Sequence, residues 1–469
     1  MGNEVEWRIK ARDGSSVEIL VLAERFGRIK QWIEGLGLKL VKFLKKAWEL
    51  GVKDPKKFIH GIKVATALTL VSLFYYVKPL YDGVEGNAMW AVMTVVVVFQ
   101  YTAGETISKT INRICATSIA GLLAIGVHWA ASRAGDHVEP IIVNVSLFLL
   151  VLWSASATTF SRFIPTIKAR FDYGAVIFIL TFSLVSISGY RVDELFRMTL
   201  ERILTIVIGT CFCIITSITI RPVWAGQELH LSITTNMDKL ANSLDVCVVQ
   251  YFNDQTSSVS DDESDKKSLG YKCVLSSKAT EDSMAKFARW EPAHGRFRFR
   301  HPWKQYLKVG TSMRTCAACI DALVGCVNIE NKDHHIDHMK EQISGMSLRL
   351  SANCASVIRE LAKTSRNMTK SSKVDILVGE INSATQELQQ VLKSNSITNV
   401  TKTQGLSPQL VLTETFQLLA LASLLIEIAA RVEDIVKDVQ QLADWLISCL
   451  QTLSNLSIIN PKILKIHAP

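Results

Sequence analysis

Six long apolar segments lie between Ile59 and Ile220, and the loops that join them alternate between basic and nearly neutral. A helix needs about 20 apolar residues to cross the roughly 30 Å hydrocarbon core of a bilayer. Backbone groups in lipid must bond within their own segment, so such segments are expected to be helices. The pattern predicts a polytopic membrane protein, and the alternative is a large soluble protein with six core helices. The predicted spans are 59–77, 88–101, 111–131, 141–160, 173–188 and 198–220.

Beyond Arg221 the chain turns polar and charged, and its apolar positions recur at helical spacing. The stretch Leu418–Ala430 is apolar but short and contains Glu427, which favours a buried bundle helix over a seventh span. The predicted fold class is therefore all-α, with six transmembrane helices and a C-terminal cytosolic helical bundle. The helices expected in the second half are 226–252, 267–289, 304–328, 337–367, 373–393 and 409–455, the last of them broken.

Lysines and arginines near the ends of the spans predict the orientation of the chain, since cytosolic loops carry an excess of both. Basic residues dominate the region before the first span, the second to third connection and the fourth to fifth connection. Both termini are therefore expected in the cytosol. The formal charge of +9 also raises nucleic-acid binding, but the basic residues lie beside the spans, where anionic lipids attract them. We expect no nucleic-acid partner.

Three domains follow from these patterns: residues 1–58, a cytosolic amphipathic N-terminal region; residues 59–221, the membrane domain; and residues 222–469, a cytosolic helical domain. Apolar positions at helical spacing in residues 17–49, with lysines and arginines between them, predict a helix in the cytosolic interface. Packing of this helix against the cytosolic domain is the alternative. Residues 255–267 are acidic and serine-rich, which predicts a disordered loop. A protein kinase acting on residues 256–264 is an expected partner.

Positive charges at membrane depth are the main functional clue. A cation at a helix centre costs about 2.5–3.5 kcal/mol on insertion scales, so it normally faces a cavity or a partner. Acidic residues are almost absent from the spans, apart from Glu201. A bundle whose interior charges are mostly positive suits anions; snorkelling to lipid headgroups is the alternative. The candidate pore and anion-binding residues are Lys63, Trp90, Arg113, Arg162 and Arg202, with Trp90 narrowing the outer half or anchoring it at the interface.

Enzyme signatures do not occur in the chain: there is no phosphate-binding glycine loop, no HExxH and no nucleophile elbow. We therefore expect no enzymatic activity, no cofactor and no metal. Cys316 and Cys319 have the CxxC spacing but lack a second metal-binding pair, so they are interpreted as small residues of a bundle helix. The histidines near His334 are interpreted as an exposed polar turn between helices rather than a metal site.

Four long motifs resemble the plant aluminium-activated malate transporters. They are GNAMWAVMTVVVVF (residues 86–99), FDYG (171–174), RPVWAGQELH (221–230) and WEPAHGRFRFRHPWKQY (290–306). The resemblance extends over about Asp54 to Asp321. The basic N-terminal helix before Asp54 is similar to that of the guard-cell quick-activating anion channel branch.

The resemblance implies a homodimeric, voltage-gated, malate-responsive anion channel. It implies passive efflux of malate, sulfate, nitrate and chloride across the plasma membrane, as in stomatal closure, with the vacuolar membrane as the alternative location. The motif Trp290, Glu291 and Pro292 is implied to take part in gating, with Glu291 paired to a neighbouring arginine or a membrane-proximal lysine. A structural elbow that holds the two domains together is the alternative role for this motif.

Three rival functions are weighed against the channel. A proton-coupled carrier of organic acids would need a titratable acid within the bundle, for which Glu201 is the candidate. A membrane scaffold without transport activity would leave the buried cations unexplained. A fused enzyme would need a catalytic constellation, which the cytosolic half does not offer.

Overall fold

The computed structural model describes residues 15–77, 88–134, 140–188, 195–252, 269–295, 301–327, 337–398 and 408–455. These residues are almost entirely helical and contain no strand, which confirms the all-α prediction. The predicted loop 255–267 and the histidines at 334 and 335 lie outside the described residues. The helices are α1 (Ser15–Lys53), α2 (Pro55–Tyr76), α3 (Ala88–Val98), α4 (Ala103–Ala134), α5 (Pro140–Ser161), α6 (Pro165–Ser188), α7 (Leu195–Thr219), α8 (Ala225–Phe252), α9 (Gly270–Leu275), α10 (Lys278–Ala288), α11 (Trp303–Val327), α12 (Asp337–Asn367), α13 (Lys373–Thr398) and α14 (Pro408–Asn455).

Three helices among the described residues are long and apolar enough to cross a bilayer, namely α4, α6 and α7. The other predicted spans also fall on helices; the described apolar parts of α3 and α5 are short, at Met89–Val98 and Phe148–Ser161, and α2 carries charge. The described part of α3 has 11 residues and so rises only about 16 Å. α2 includes Lys56, Lys57 and Lys63. A count of six spans therefore stays a proposal.

Two of the apolar helices begin earlier than predicted. α4 begins at Ala103 rather than Ile111, and α6 begins at Pro165 rather than Tyr173. Both extensions are polar, so hydropathy does not detect them, and Pro165 suits a first helical turn because its φ is already fixed. The extensions place charged side chains on the same rigid helices as the apolar segments.

Small residues allow the membrane-type helices to approach closely. A Cβ on Gly209 of α7 would lie 2.8 Å from the carbonyl oxygen of Ala91 on α3. A Cβ on Gly121 of α4 would lie 2.6 Å from Cγ2 of Thr199 on α7. Such contacts are typical of helix association in lipid, where backbone proximity replaces the hydrophobic effect. α7 therefore packs against both α3 and α4.

The second half has a continuous apolar core of its own. α8 packs on α12, and α11 packs on α14. Leu418–Ala430 forms part of α14, where Leu421, Leu425 and Ile428 are buried in this core, as the predicted bundle helix requires. Cys316 of the CxxC pair is buried in the same core.

Two predictions about helix continuity were wrong. α14 is unbroken from Pro408 to Asn455, because no glycine or proline follows Pro408 to interrupt it. The predicted helix 267–289 is instead two helices, α9 and α10, separated by Ser276 and Ser277. Both serine hydroxyls donate to carbonyls three or four residues earlier, which competes with continuation of the helix.

Replacement of Gly226 by alanine should destabilise the packing of α8 on α11. A Cβ at this position would lie 2.3 Å from Cη2 of Trp303, so the indole would have to move. Overpacking of this kind costs about 1–3 kcal/mol. Thermal unfolding of the purified protein followed by tryptophan fluorescence should show a lower midpoint for Gly226→Ala.

The control is Gly325→Ala on α11, where no atom lies within 4 Å of the added Cβ. This variant should be neutral or gain about 0.5–1 kcal/mol, since alanine is the better helix former. Equal midpoints for Gly226→Ala and the unmodified chain would contradict the packing described.

Candidate functional site

Lys63 lies one turn before Ala67 on the buried face of α2, and it is 1% exposed. Its helix packs on α3 and α7. No described residue accepts a hydrogen bond from its ammonium group or forms an ion pair with it. His60, one turn earlier, contacts the rings of Phe99 and Tyr101 at centroid distances of 5.7 Å each. A buried, uncompensated ammonium group is costly unless an anion or water reaches it.

Arg113 is the second buried cation, 6% exposed on α4. Its Nη1 donates a hydrogen bond to the phenol oxygen of Tyr173 on α6 at 3.2 Å. Its Nε is buried and finds no acceptor among the described residues. A guanidinium group has five N–H donors, so Arg113 keeps donors for a further acceptor.

Arg202 and Trp90 lie in direct contact. The guanidinium carbon of Arg202 on α7 lies 4.4 Å from the ring centroid of Trp90 on α3. A cation over an aromatic face is stabilised by about 0.5–2 kcal/mol, and more so when desolvated. Two of the predicted pore residues are therefore brought together.

Arg162 has an acidic partner, in contrast to Lys63. Its Nε donates to Oδ1 of Asp172 at 2.7 Å, and both side chains are partly exposed. An exposed ion pair of this kind contributes about 0–1 kcal/mol. The pairing compensates much of the positive charge that the sequence assigns to Arg162.

The FDYG motif holds two arginines through consecutive residues. Asp172 holds Arg162 and Tyr173 holds Arg113. Neither Asp172 nor Tyr173 is a candidate site residue in the sequence analysis, although the motif carries the family resemblance. Only the unusual FDYG string beside the cations could have drawn attention to them.

Glu201 is paired with a cation on its own helix. Nε of Arg197 donates to its carboxylate at 3.1 Å, one turn earlier on α7. The side chain of Glu201 is 19% exposed. Its carboxylate is therefore engaged in an ion pair within α7.

Glu291 joins the two halves of the chain. Its carboxylate accepts the backbone N–H of Ala225 at 2.5 Å and that of Gly226 at 3.1 Å, in the first turn of α8. The backbone N–H of Gly104, in the first turn of α4, also bonds to this carboxylate. Helix N-termini present unpaired N–H groups and favour anions. One carboxylate thus caps two helices, one from each half.

The environment of Glu291 explains its neighbours. Burial raises the pKa of this carboxyl group, and the three backbone N–H groups oppose that rise. A Cβ on Gly104 would lie 2.4 Å from the carbonyl oxygen of Phe287, so only glycine permits this approach. The expected pairing of Glu291 with lysine or arginine does not occur among the described residues, although residues 296–300 lie outside them. Backbone donors satisfy the carboxylate instead.

Further contacts reinforce this joint. Trp224 stacks on His294 at 4.0 Å, and His294 Nδ1 lies 2.8 Å from the carbonyl oxygen of Pro292. Lys56 at the start of α2 forms an ion pair with Glu228 on α8 at 2.5 Å. Trp290 is 43% exposed, so among Trp290, Glu291 and Pro292 only Glu291 is buried. The first turns of α2, α4 and α8 are therefore tied together.

A buried phenol anchors two histidines behind the joint. The oxygen of Tyr306 lies 3.0 Å from Nδ1 of His230 and 3.2 Å from Nε2 of His301. Burial, with the nearby His230 and His294, lowers the pKa of His301 to about 3. His301 is thus uncharged near neutral pH and serves as a hydrogen-bonding group. The motifs 221–230 and 290–306 meet here.

Comparison with known proteins agrees with these motifs. A family profile described as aluminium activated malate transporter matches residues 48–409. Aluminum-activated malate transporter 10 of Arabidopsis thaliana is 44% identical over 94% of each chain. Aluminum-activated malate transporter 2 of the same plant is 42% identical over 86% of this chain and 78% of its own. Aluminum-activated malate transporter 1 of Triticum aestivum is 39% identical over 88% and 87%.

The family match extends well past Asp321, where the quoted motifs end, and it covers most of the chain. The relatives are named as transporters, and the apolar helices fit a protein that resides in a membrane. The chain therefore belongs to the aluminium-activated malate transporter family.

Proposed function

We propose that this protein is a passive anion channel that conducts malate. The observation that carries the proposal is the burial of two cations: Lys63 has no ion-pair or hydrogen-bond partner among the described residues, and Nε of Arg113 has no acceptor there. Such donors favour a carboxylate over a cation, and a pore lined by them lowers the barrier for anions. Sulfate, nitrate and chloride present the same kind of acceptor. The printed names of the relatives support malate as the organic substrate.

The proposed pathway follows the packing of α2, α3, α4, α6 and α7. Arg202 and Trp90 form a cationic and aromatic pair along it, and the Arg162 and Asp172 pair lies beside its entrance. Six helices cross the membrane, with both termini in the cytosol and the C-terminal helices forming a cytosolic domain. Two such subunits form a homodimer in the plasma membrane, and the vacuolar membrane is the alternative.

Voltage dependence requires charge that moves in the membrane field. One charge moving through 100 mV supplies about 2.3 kcal/mol, but no span carries a regular arginine repeat. We therefore assign the sensing to entering anions or to a few pore charges, which also makes the channel responsive to malate. Efflux of this kind would serve stomatal closure, as in the quick-activating branch. Phosphorylation of residues 256–264 is a further proposed control.

Gating is proposed to pass through the joint at Glu291. Its carboxylate accepts backbone N–H groups from the first turns of α4 and α8. Farther along, α4 also carries Arg113. A displacement of the second half would therefore be transmitted to the helix that holds a pore cation. Trp290 and Pro292 flank Glu291 in the chain and fix the direction from which its carboxylate reaches the two helices.

Currents carried by the full chain in a non-plant cell test the proposed channel. With malate or chloride gradients and impermeant cations, the reversal potential should follow the anion gradient, and single-channel steps should be resolved. A reversal potential that follows pH instead, without resolvable steps, would make the protein a proton-coupled carrier. Glu201→Gln separates the two further, since only the carrier would lose its proton coupling.

Substitution of Arg113 should change the selectivity of the channel for anions. Substitution of its hydrogen-bond partner Tyr173 should have a weaker effect, on the half-saturating malate concentration. Arg113→Gln removes a buried charge, so the permeability for malate relative to a large cation should fall. Tyr173→Phe keeps the charge but removes one hydrogen bond, worth about 0.5–1.5 kcal/mol, or roughly two- to tenfold in half-saturating malate. Both are read from reversal potentials and concentration series.

Lys168→Gln is the matched control, because Lys168 is an exposed cation close to the same residues on α6. It should leave selectivity unchanged once surface expression is equalised. An Arg113→Gln channel with the permeability ratios of the unmodified chain would remove Arg113 from the pathway.

Glu291→Gln should shift the voltage of half-activation without changing the reversal potential. The amide offers one acceptor oxygen where the carboxylate has two, so part of the cap on α4 or α8 is lost. Asp282→Asn, an exposed acid on α10, is the control and should behave as the unmodified chain. Reduced surface expression at an unchanged half-activation voltage would leave Glu291 a structural elbow only.

A further inference from the structure

Helix α1 carries a long row of exposed apolar side chains. From Lys30 to Lys53 every residue except Gly35 and Gly51 is exposed. Single exposed apolar residues are common, but a contiguous set of this size marks an interaction surface. The exposed set is Trp32, Ile33, Leu36, Leu38, Leu40, Val41, Phe43, Leu44, Trp48, Leu50 and Val52.

Part of this exposed apolar set shares one side of the helix. At 3.6 residues per turn, one set falls within a third of the circumference, and it is here named the apolar face: Trp32, Ile33, Leu36, Leu40, Phe43 and Leu44. Five lysines fall within a separate third of the circumference, centred about 140° away and here named the lysine face: Lys39, Lys42, Lys45, Lys46 and Lys53. This division is typical of a helix that lies in a membrane interface.

The charge of α1 selects its partner. Residues 30–53 contain six lysines and two glutamates, a balance of +4. Anionic phospholipid headgroups complement this charge, and each lysine near such a surface adds favourable electrostatic energy. A second copy of α1 docked on the apolar face would cover that face but would leave the lysine face without an acidic complement. An anionic lipid surface therefore fits both faces at once, whereas a second copy fits only one.

The position of α1 in the chain also favours a membrane surface. α1 ends at Lys53, and α2 begins at Pro55 after a single residue. The backbone N–H of Asp54 bonds to the carbonyl oxygen of Leu50, so the connection is short and ordered. Because α2 carries the first proposed span, the C-terminal end of α1 must lie at the bilayer surface on the side where the span begins.

We propose that the apolar face of α1 inserts into the cytosolic leaflet while the lysine face binds anionic phospholipid headgroups. Helices of this class lie about 5–10 Å deep, at the boundary of headgroups and acyl chains. Trp32 and Trp48 suit this depth, since indole prefers the interface. The inference rests on the proposed topology of the first span but not on the identity of the transported ion.

Quenching by brominated lipids tests the insertion. A genetically encoded fluorescent amino acid replaces Leu40 or Lys42 in the full chain, which is placed in nanodiscs of equal parts phosphatidylcholine and phosphatidylserine with brominated acyl chains. These positions differ by two residues and point to opposite sides of α1. The probe at position 40 should be strongly quenched, and the probe at position 42 should not.

The charge is tested with the same probe at position 40. Phosphatidylcholine alone, or the triple change Lys39→Gln, Lys42→Gln and Lys46→Gln, should remove most of the quenching. Quenching that does not depend on phosphatidylserine would overturn the assignment to anionic lipid. A probe at position 40 that is unquenched but blue-shifted would place α1 against protein and overturn the insertion, as would a probe that is unquenched and in water.

Anion currents of the same variants keep this inference separate from the proposed channel. If the probe at position 40 is quenched as expected while no anion current is found, the docking of α1 stands and the proposed function fails. If anion currents are normal while the probe is unquenched, the proposed function stands and the docking of α1 fails.

Discussion

The bonds from Glu291 to the first turns of α4 and α8 are the constraint on which the arrangement of the two halves depends. A carboxylate that accepts N–H groups from two helix N-termini fixes both the distance and the angle between those helices. Lys56 and Glu228 add a third helix start to the same cluster. These contacts couple the second half of the chain to the first turns of α2 and α4.

The buried cations give the membrane helices their chemical character. Lys63, on α2 where it packs against α3 and α7, has no acidic partner in the part of the chain that the structure describes, whereas Arg162 is compensated by Asp172. The predicted pore residues therefore differ in kind. Lys63 keeps hydrogen-bond donors available to a ligand, whereas the charge of Arg162 is already compensated. Small residues such as Gly209 bring the backbones of α3 and α7 close together. The uncompensated cations favour an anionic ligand.

Hydropathy and helical spacing predict the helices of this chain well, because both depend on side chains a few residues apart. They fail where backbone chemistry decides: polar first turns extend α4 and α6, and Ser276 with Ser277 divides α9 from α10. The cations could be found from the sequence because charge inside an apolar segment is conspicuous. The partners of these cations could not be found in this way. Tyr173 is far from Arg113 in the sequence, and Asp172 reaches Arg162 only because a loop and the first turns of α6 fold back between them. The donors to Glu291 are backbone groups, which leave no mark on the sequence.

Adjacent residues on α6 grip arginines from two different directions, and this has a mechanical consequence. Asp172 and Tyr173 point about 100° apart around one helix axis, so a single helix carries the partners of both arginines. Rotation of α6 would move both side chains together. The hydrogen bonds to the guanidinium groups of Arg113 and Arg162 would then change in one step. Any rotation of this one helix would thus act on both arginines at once.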